Sequence, residues 1–585
     1  MPGMMWSPYR GDLPDQLRRS ALWTSALCLF FLTVVLTVEG LLLWESTLAL
    51  LALYAAGGAS VAISLLHHAL RLYQAIRRLR YLRRALPDIV LLLSMVWAAA
   101  TPEAFAGVAT VRSLYLLFSL FRSTGLGRRA MDYLFKNPAA GTLLSFSSAI
   151  LLGTILLALP RSTVDLRGLP LIDALFTATS AVCVTGLSTI SVAAAETGQT
   201  LPTLSFFGQV VLLGLIEVGG LGIMTLSLAA FQAVGGLGVK GSLLARDLVD
   251  DEGAVTTGAN LAAIVTMTLL FEAVGAVVLT LAFERELGLA WEDAVWHGVF
   301  HAVSAFCNAG FSTFPDNLER FLHVPDVLIT VSALIVLGGL GFPVFLAIFS
   351  RRSWYWRRHR PYLRLPLHAR VALRMTAILL VVGTVLLFLT DWDGAQAGMT
   401  LSERFWASLF QSVTSRTAGF NVVDMGQTSR TALLVYIALM FIGACPGGTA
   451  GGIKTTSLVV LLLSVRSLLR GEEVAEVMDR SIPQRTFHKA ATVVMLSFIA
   501  TSLVAAGLLW VETGISGSAL VFEAVSAFGT VGLSLGATTM LDPFGKLLIV
   551  VLMFFGRVGP VTIVTAWRHK TTPPVRFPEG RLLVG

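Results

Sequence analysis

One motif recurs four times along this chain, and the recurrence confines it to a repeat architecture. The last copy is Phe522-Glu-Ala-Val-Ser-Ala-Phe-Gly-Thr-Val-Gly-Leu-Ser534, and earlier copies run from Phe176 to Ser188 and from Phe300 to Ser312. A third copy, Phe410 to Asn421, is one residue shorter between its Phe and its Gly. Each is an apolar run carrying a Ser or Thr, then a short extended piece ending in Gly, then a bulky apolar residue and Ser or Asn.

Composition says in what medium the repeats fold. Of 585 residues, 55% are hydrophobic and 13% charged, against about 25% charged in a soluble domain. Windows such as Ala21–Val38 and Ala262–Leu281 are nearly free of charge and approach the roughly 20 residues a helix needs to cross a bilayer. The chain reads as an all-α polytopic membrane protein. A net charge of +8 does not point to nucleic acid, because the basic residues sit in short loops between apolar spans, the positive-inside pattern. Cys28, Cys183, Cys307 and Cys445 lack CxxC or Cys/His spacing, so neither a disulfide framework nor a zinc site is expected. The first apolar run follows Arg18-Arg19 without a small-residue cleavage site, so no cleavable signal peptide is expected.

Residues 1–137 form an N-terminal membrane region with about four extra spans, near 21–43, 47–69, 88–101 and 104–121. The arginine-dense stretch Arg71–Arg84, with Arg10, Arg18 and Arg19, puts the N-terminus in the cytoplasm. Four repeats follow, at 138–245, 246–360, 361–475 and 476–585, each a span, a re-entrant motif and a second span. First spans are expected near 141–159, 258–283, 370–390 and 487–511, and second spans near 204–232, 325–349, 430–466 and 543–567. Basic loops such as Arg351–Arg374 follow the second spans, whereas Glu292, Asp293, Asp316, Glu319, Glu403 and Asp424 flank the motifs. The motifs therefore face outside and the basic loops inside.

The apolar part of each motif is roughly ten residues, too short to span, and reads as a half-helix that enters and stops. Asp173, Asp293 and Glu403 stand near three half-helix starts, where a carboxylate suits the positive helix end. The opposite ends then point inward and favour a cation. Non-helical backbone at that depth is tolerated only where it lines a cavity or is buried in protein. Four such segments in pseudo-fourfold arrangement would form rings of carbonyl oxygens that replace an ion's hydration shell, with Gly letting a carbonyl turn toward the axis. The candidate ion-binding residues are Val184, Thr185 and Gly186, then Asn308, Ala309 and Gly310, then Thr417, Ala418 and Gly419, and finally Thr530, Val531 and Gly532. Arg416 beside the third copy argues against strict fourfold symmetry.

These motifs resemble the Trk/Ktr/HKT superfamily of potassium transporters over about residues 138–585. In that superfamily one subunit carries four membrane–pore-loop–membrane repeats, and Gly186, Gly310, Gly419 and Gly532 match its filter glycines. Glycine in all four resembles the potassium-selective members, and implies K⁺ at the filter carbonyls and K⁺ uptake as the function. The run Glu217 to Thr225 is similar to the family's first second-span, with Glu in place of the expected Gln.

Gly443–Thr456 interrupts the third repeat's second span, and Pro446 with five glycines within ten residues cannot hold a straight helix. It is no phosphate loop, because Ile453 separates Gly452 from Lys454. The resemblance implies an intramembrane gate of Gly447, Gly448, Thr449, Ala450, Gly451, Gly452 and Lys454, contacted by Arg557; a broken helix without gating role is the alternative. Charge within the last apolar span is costly, and a structural pairing of Arg557 with Glu217 or Glu272 would also satisfy it.

The tail Arg576–Gly585 and the wording of the Gly-rich segment resemble the Ktr-type (KtrB-like) branch. That implies a homodimer in membrane lipid, at the plasma membrane, on a separate cytosolic nucleotide-binding regulatory ring. No G-x-G-x-x-G on a strand–helix unit occurs here, so the ring would be another protein. No cofactor beyond the transported ion is expected. His297 and His301 are spaced i, i+4 without a third ligand nearby, so packing or hydrogen bonding is expected rather than a metal. Arg112, Arg122, Arg128 and Arg129 lack the spacing of a voltage sensor, and no hydrolase motif marks an enzyme. The rival readings are a Na⁺ or poorly selective cation transporter, and a non-conducting membrane receptor or scaffold with a degenerate pore.

Overall fold

The computed structural model describes residues 137–193, 202–222, 257–349, 365–472, 475–478 and 480–567, with isolated positions between 54 and 112. The four expected N-terminal spans, apart from those positions, and the tail at 576–585 lie outside the described residues.

The chain runs through four quarters of like design. The first holds α1 (Pro138–Leu157), α2 (Leu171–Val182) and α3 (Phe206–Gly220). The second holds α4 (Thr257–Leu287), α5 (Trp291–Cys307), α6 (Pro325–Leu340) and α7 (Phe342–Phe349). The third holds α8 (Leu367–Thr390), α9 (Leu401–Thr414), α10 (Arg430–Phe441) and α11 (Thr455–Arg470). After a hairpin of two-residue strands, β1 (Glu476–Val477) and β2 (Arg480–Ser481), come α12 (Gln484–Val511), α13 (Gly517–Gly529), α14 (Pro543–Val558) and α15 (Pro560–Trp567).

Length separates two kinds of helix. α1, α4, α8 and α12 have 20, 31, 24 and 28 residues, and at about 1.5 Å per residue each reaches the ~30 Å of a bilayer core. Their outward faces carry Leu151, Leu389, Leu503 and Trp510 at 62% to 84% exposure, a surface suited to lipid rather than water. α2, α5, α9 and α13 have only 12, 17, 14 and 13 residues and carry the motif. The first Phe of every copy is buried in one of two large hydrophobic clusters.

Short polar signals start these half-helices. Thr400 and Glu403 form a capping box, with Glu403 Oε2 accepting the Thr400 amide at 2.8 Å. Asp173 and Asp293 lie in the first turns of α2 and α5, and the Ser516 hydroxyl accepts the Ala519 amide at 3.4 Å on α13.

The following helices tie the quarters together. α3 packs on α5, α6 on α9, α10 on α13, and α14 back on α2, so the order closes on itself. Lys546 on α14 and Asp173 on α2 lock that last joint at 2.7 Å. Gly219, Gly338 and Gly556 lie against the carbonyls of Val182, Phe306 and Phe528, where a β-carbon would overlap. In lipid, where association relies on close packing, small residues give this approach.

Two spans expected to run unbroken do not. The segments at 325–349 and 543–567 break at Gly341 (φ 88) and Gly559 (φ 86), and the helices resume as α7 and α15. Pro343 and Pro560 follow within two residues and remove a helical donor just where the left-handed glycine has turned the chain. α3 ends at Gly220, with Gly222 at positive φ (75), and the rest of the span expected to reach 232 lies outside the described residues.

Candidate functional site

At the end of each half-helix the backbone turns left-handed. Val184 (φ 55), Asn308 (φ 62), Thr417 (φ 78) and Thr530 (φ 50) take this conformation, and two residues later so do Gly186, Gly310, Gly419 and Gly532. For β-branched Val and Thr it is a genuine outlier, costing about 1–3 kcal/mol at each site and kept only where the surroundings over-determine it.

The motif's hydroxyl residue does that. Backbone carbonyls of Ser180, Ser304, Thr414 and Ser526 accept the amides of Thr185, Ala309, Ala418 and Val531 at 2.7 to 2.9 Å. Hydroxyls of Ser180 and Ser526 accept the next amides, those of Gly186 and Gly532, at 3.0 and 3.1 Å. In a planar trans peptide the preceding carbonyl points opposite to its amide. With these amides drawn back onto the half-helices, the carbonyls of Thr185 and Val531 face the other way, toward the centre.

There the four segments meet. The Thr185 carbonyl lies against Gly532, Val531 against Gly419, Ala418 against Gly310, and Ala309 against Gly186. The cycle closes with no gap for a β-carbon at any of the four glycines, which is why the motif requires glycine there.

Outside the ring lies a cavity of about 290 Å³ lined by Gly186, Gly419, Gly532, Glu319, Asn421 and Asp424 among others. Asn421 donates to Glu319 at 2.8 Å. Burial, then the charges of Asp424 and Asp316, raise the Glu319 carboxyl above its ordinary value, opposed by the Asn421 bond.

On the inner side, Ile442 to Lys454 passes beneath the ring. Backbone bonds fasten it: Cys445 and Thr449 amides to Gly339 and Gly338 carbonyls at 3.1 and 3.2 Å, Gly448 to Cys445, and the Gly447 carbonyl to the Phe342 amide at 3.0 Å. The Thr449 hydroxyl reaches the last-turn carbonyl of Phe306 at 3.3 Å. Gly451 sits against the Thr530 side chain, and Gly452 beside Gly529. Lys454 Nζ caps the Ala450 carbonyl at 2.6 Å.

Arg557 reaches into the same place. Its guanidinium donates to the carbonyls of Thr449 on this segment and Gly219 on α3. Among the described residues no carboxylate lies within 4.0 Å of it, so the pairing with Glu217 or Glu272 is not formed. Glu217 and Glu272 instead converge on the Cys307 thiol, at 3.6 and 3.8 Å. Their separation of 55 residues carries no sequence signal for this meeting. Arg557 had a readable cue: it follows Gly556 where Gly220 follows Gly219 and Gly339 follows Gly338. His297 and His301 are both engaged in hydrogen bonds, with Thr313 at 2.6 Å and Ser312 at 2.9 Å.

Known proteins share this design. Residues 129–573 match the family model TrkH, described as cation transport protein. Ktr system potassium uptake protein B of Bacillus subtilis (strain 168) is 35% identical over 454 residues, 77% of this chain and 97% of that protein. Its namesake in Vibrio alginolyticus is 36% identical over 446 residues, 76% and 94% of the two chains. Potassium/sodium uptake protein NtpJ of Enterococcus hirae is 37% identical over 451 residues, 75% and 95%. The crystal structure of the potassium transporter TrkH from Vibrio parahaemolyticus has the same fold, with a TM-score of 0.58 at 18% identity over 84% of this chain and 98% of that one. With four long apolar helices among the described residues, shorter apolar ones between them and three quarters of its length matched, the chain belongs to the TrkH family of cation transport proteins, membrane transporters rather than enzymes.

Proposed function

We propose that this chain is a potassium-selective ion-translocating subunit that mediates K⁺ uptake. The observation that carries the reading is the closed cycle in which the carbonyls of Thr185, Ala309, Ala418 and Val531 each abut the next quarter's glycine. Such a ring replaces water around a dehydrated cation, and the half-helix ends aimed at it add partial negative charge. Two relatives named for potassium uptake support K⁺ as the ion, while NtpJ is named for potassium and sodium both.

In this reading the four quarters are membrane–pore-loop–membrane repeats, and residues 1–137 add about four spans before them. The segment Gly447 to Gly452, with Lys454, is the gate, held closed by Arg557; its seat beneath Thr530 supports that role. The subunit works at the plasma membrane with its N-terminus cytoplasmic, as a homodimer in lipid on a separate cytosolic nucleotide-binding ring.

Expression in a bacterium lacking its own potassium uptake tests the function. Growth at low K⁺ is the expected result; no rescue, alone or with a regulatory ring, would sink the proposal. Gly310→Ser should lower preference for K⁺ over Na⁺ in flux assays, and unchanged selectivity would contradict the ring as filter. A wild-type chain that moves Na⁺ equally well would replace K⁺ selectivity by the poorly selective reading.

A further inference from the structure

We propose that Glu523 and His301 are positioning residues that brace the ring from behind on two opposite sides, and so set its preference among cations; this rests on the filter reading above. The residue after the motif's first Phe is Thr177, His301, Gln411 or Glu523 in the four copies. All four are fully buried, a position where polar atoms normally find partners.

Only two of them tie the ring's outer lip to their own half-helix. Glu523 Oε2 accepts the Ser534 hydroxyl at 2.8 Å, and Oε1 accepts that of Thr538. Ser534 stands two residues beyond Gly532 and also accepts the Gly536 amide at 3.1 Å. A buried carboxylate is costly unless hydrogen-bonded, and these donors hold it while it holds the lip. In the second quarter His301 Nε2 bonds Ser312, two residues beyond Gly310, at 2.9 Å. Ser312 in turn accepts the Phe314 amide at 3.0 Å and reaches the Asn317 carbonyl at 3.1 Å.

The other two lack this link. Thr177 Oγ1 and Gln411 Oε1 have no partner among the described residues, and the Gln411 amide meets only Met425 Sδ at 3.6 Å, a weak acceptor. Ser188 bonds within its own loop, to Ile190. Asn421 is held from the neighbouring quarter, by Asn317 and Glu319. Since the carbonyl cycle runs first, fourth, third, second, the braced quarters lie opposite each other. One diameter of the ring is clamped and the other is left more compliant. Selectivity depends on the number, field strength and flexibility of the carbonyls, so loosening a clamp relaxes discrimination rather than simply lowering throughput.

The test measures K⁺ and Na⁺ uptake by the full chain in proteoliposomes, read as a ratio. Glu523→Ala should lower the ratio about tenfold, or about 1.4 kcal/mol of discrimination. Glu523→Gln, which keeps an acceptor for the lip hydroxyls, should restore most of it. His301→Ala should give a smaller loss in the same direction, and Thr177→Val should leave the ratio unchanged. If Glu523→Ala keeps the wild-type ratio while Gly532→Ser collapses it, the bracing is wrong and the filter stands. If both keep it, the filter reading itself has failed. Should Glu523→Ala not yield folded protein, Ser534→Ala decides: a lowered ratio supports the brace, and an unchanged one overturns it.

Discussion

The second and fourth quarters break their second helices at one glycine each, Gly341 and Gly559, whereas the third opens into a stretch from Ile442 to Lys454. All of these breaks lie just past the helix turns that press on half-helix ends, yet their consequences differ. A single left-handed glycine bends the rod and exposes little backbone. A long opening leaves carbonyls and amides at membrane depth that must be met from within the protein. Gly338, Gly339, Lys454 and Arg557 meet them. Length of the break thus decides whether the freed backbone groups stay within one quarter or are met by its neighbours.

If the opened segment is the proposed gate, the largest effect should come from enlarging it. Gly451→Leu drives a side chain into Thr530 directly beneath the ring, and K⁺ uptake should fall on the order of 100-fold, equivalent to about 2.7 kcal/mol. Uptake normalised to membrane-inserted protein checks this, and near-normal flux would show that the segment does not obstruct. Next comes release: Arg557→Gln removes a charge-assisted bond worth about 1.5–3 kcal/mol from the Thr449 carbonyl. Basal uptake should rise at least several-fold; a fall would mean the guanidinium holds the path open.

Bends should be felt in stability rather than flux. Gly559→Ala takes a positive-φ backbone penalty of about 1–3 kcal/mol with open space around the new methyl. Gly341→Ala takes the same penalty and also meets the Pro446 carbonyl, so its thermal midpoint should fall further. Equal shifts would deny that the second quarter's bend leans on the third quarter's opening.

The smallest effect concerns pH. Because the Glu319 carboxyl is raised, external acidification protonates it before an ordinary carboxylate. Cation uptake should therefore begin to decline on the upper side of the usual carboxylate range, and Glu319→Gln should remove that component. The sign of this group's own contribution to stability is the opposite. A group raised in the folded state favours the fold as pH falls through its titration, so stability and uptake should move in opposite directions.

Much of this architecture was legible in the chain. The half-helices were readable because Phe, Ser and Gly recur at fixed spacing, and each has a local job: burial, amide capture and turning. The first spans were readable because lipid demands length and apolarity, and little else does. The breaks at Gly341 and Gly559, inside spans that apolarity alone draws as continuous, carry a local stop signal too, Gly followed closely by Pro. Other features had no local signal. The meeting of Glu217, Glu272 and Cys307 depends on α3, α4 and α5 packing together. Arg557 takes backbone carbonyls rather than the carboxylate of the alternative reading, because non-helical backbone supplies acceptors that no residue type announces.

The joint between Asp173 and Lys546 spans 373 positions of sequence, and the Thr185 carbonyl waits for Gly532 across almost as many. During synthesis the first half-helix therefore lacks its fourth-quarter neighbour until nearly the whole chain has emerged. Contacts so distant form late and leave intermediates open to misassembly and degradation. A chain ending before α14 holds all four ring segments yet lacks the Lys546 partner of Asp173 and the Arg557 bond to Thr449, so its ring closes without its last lock.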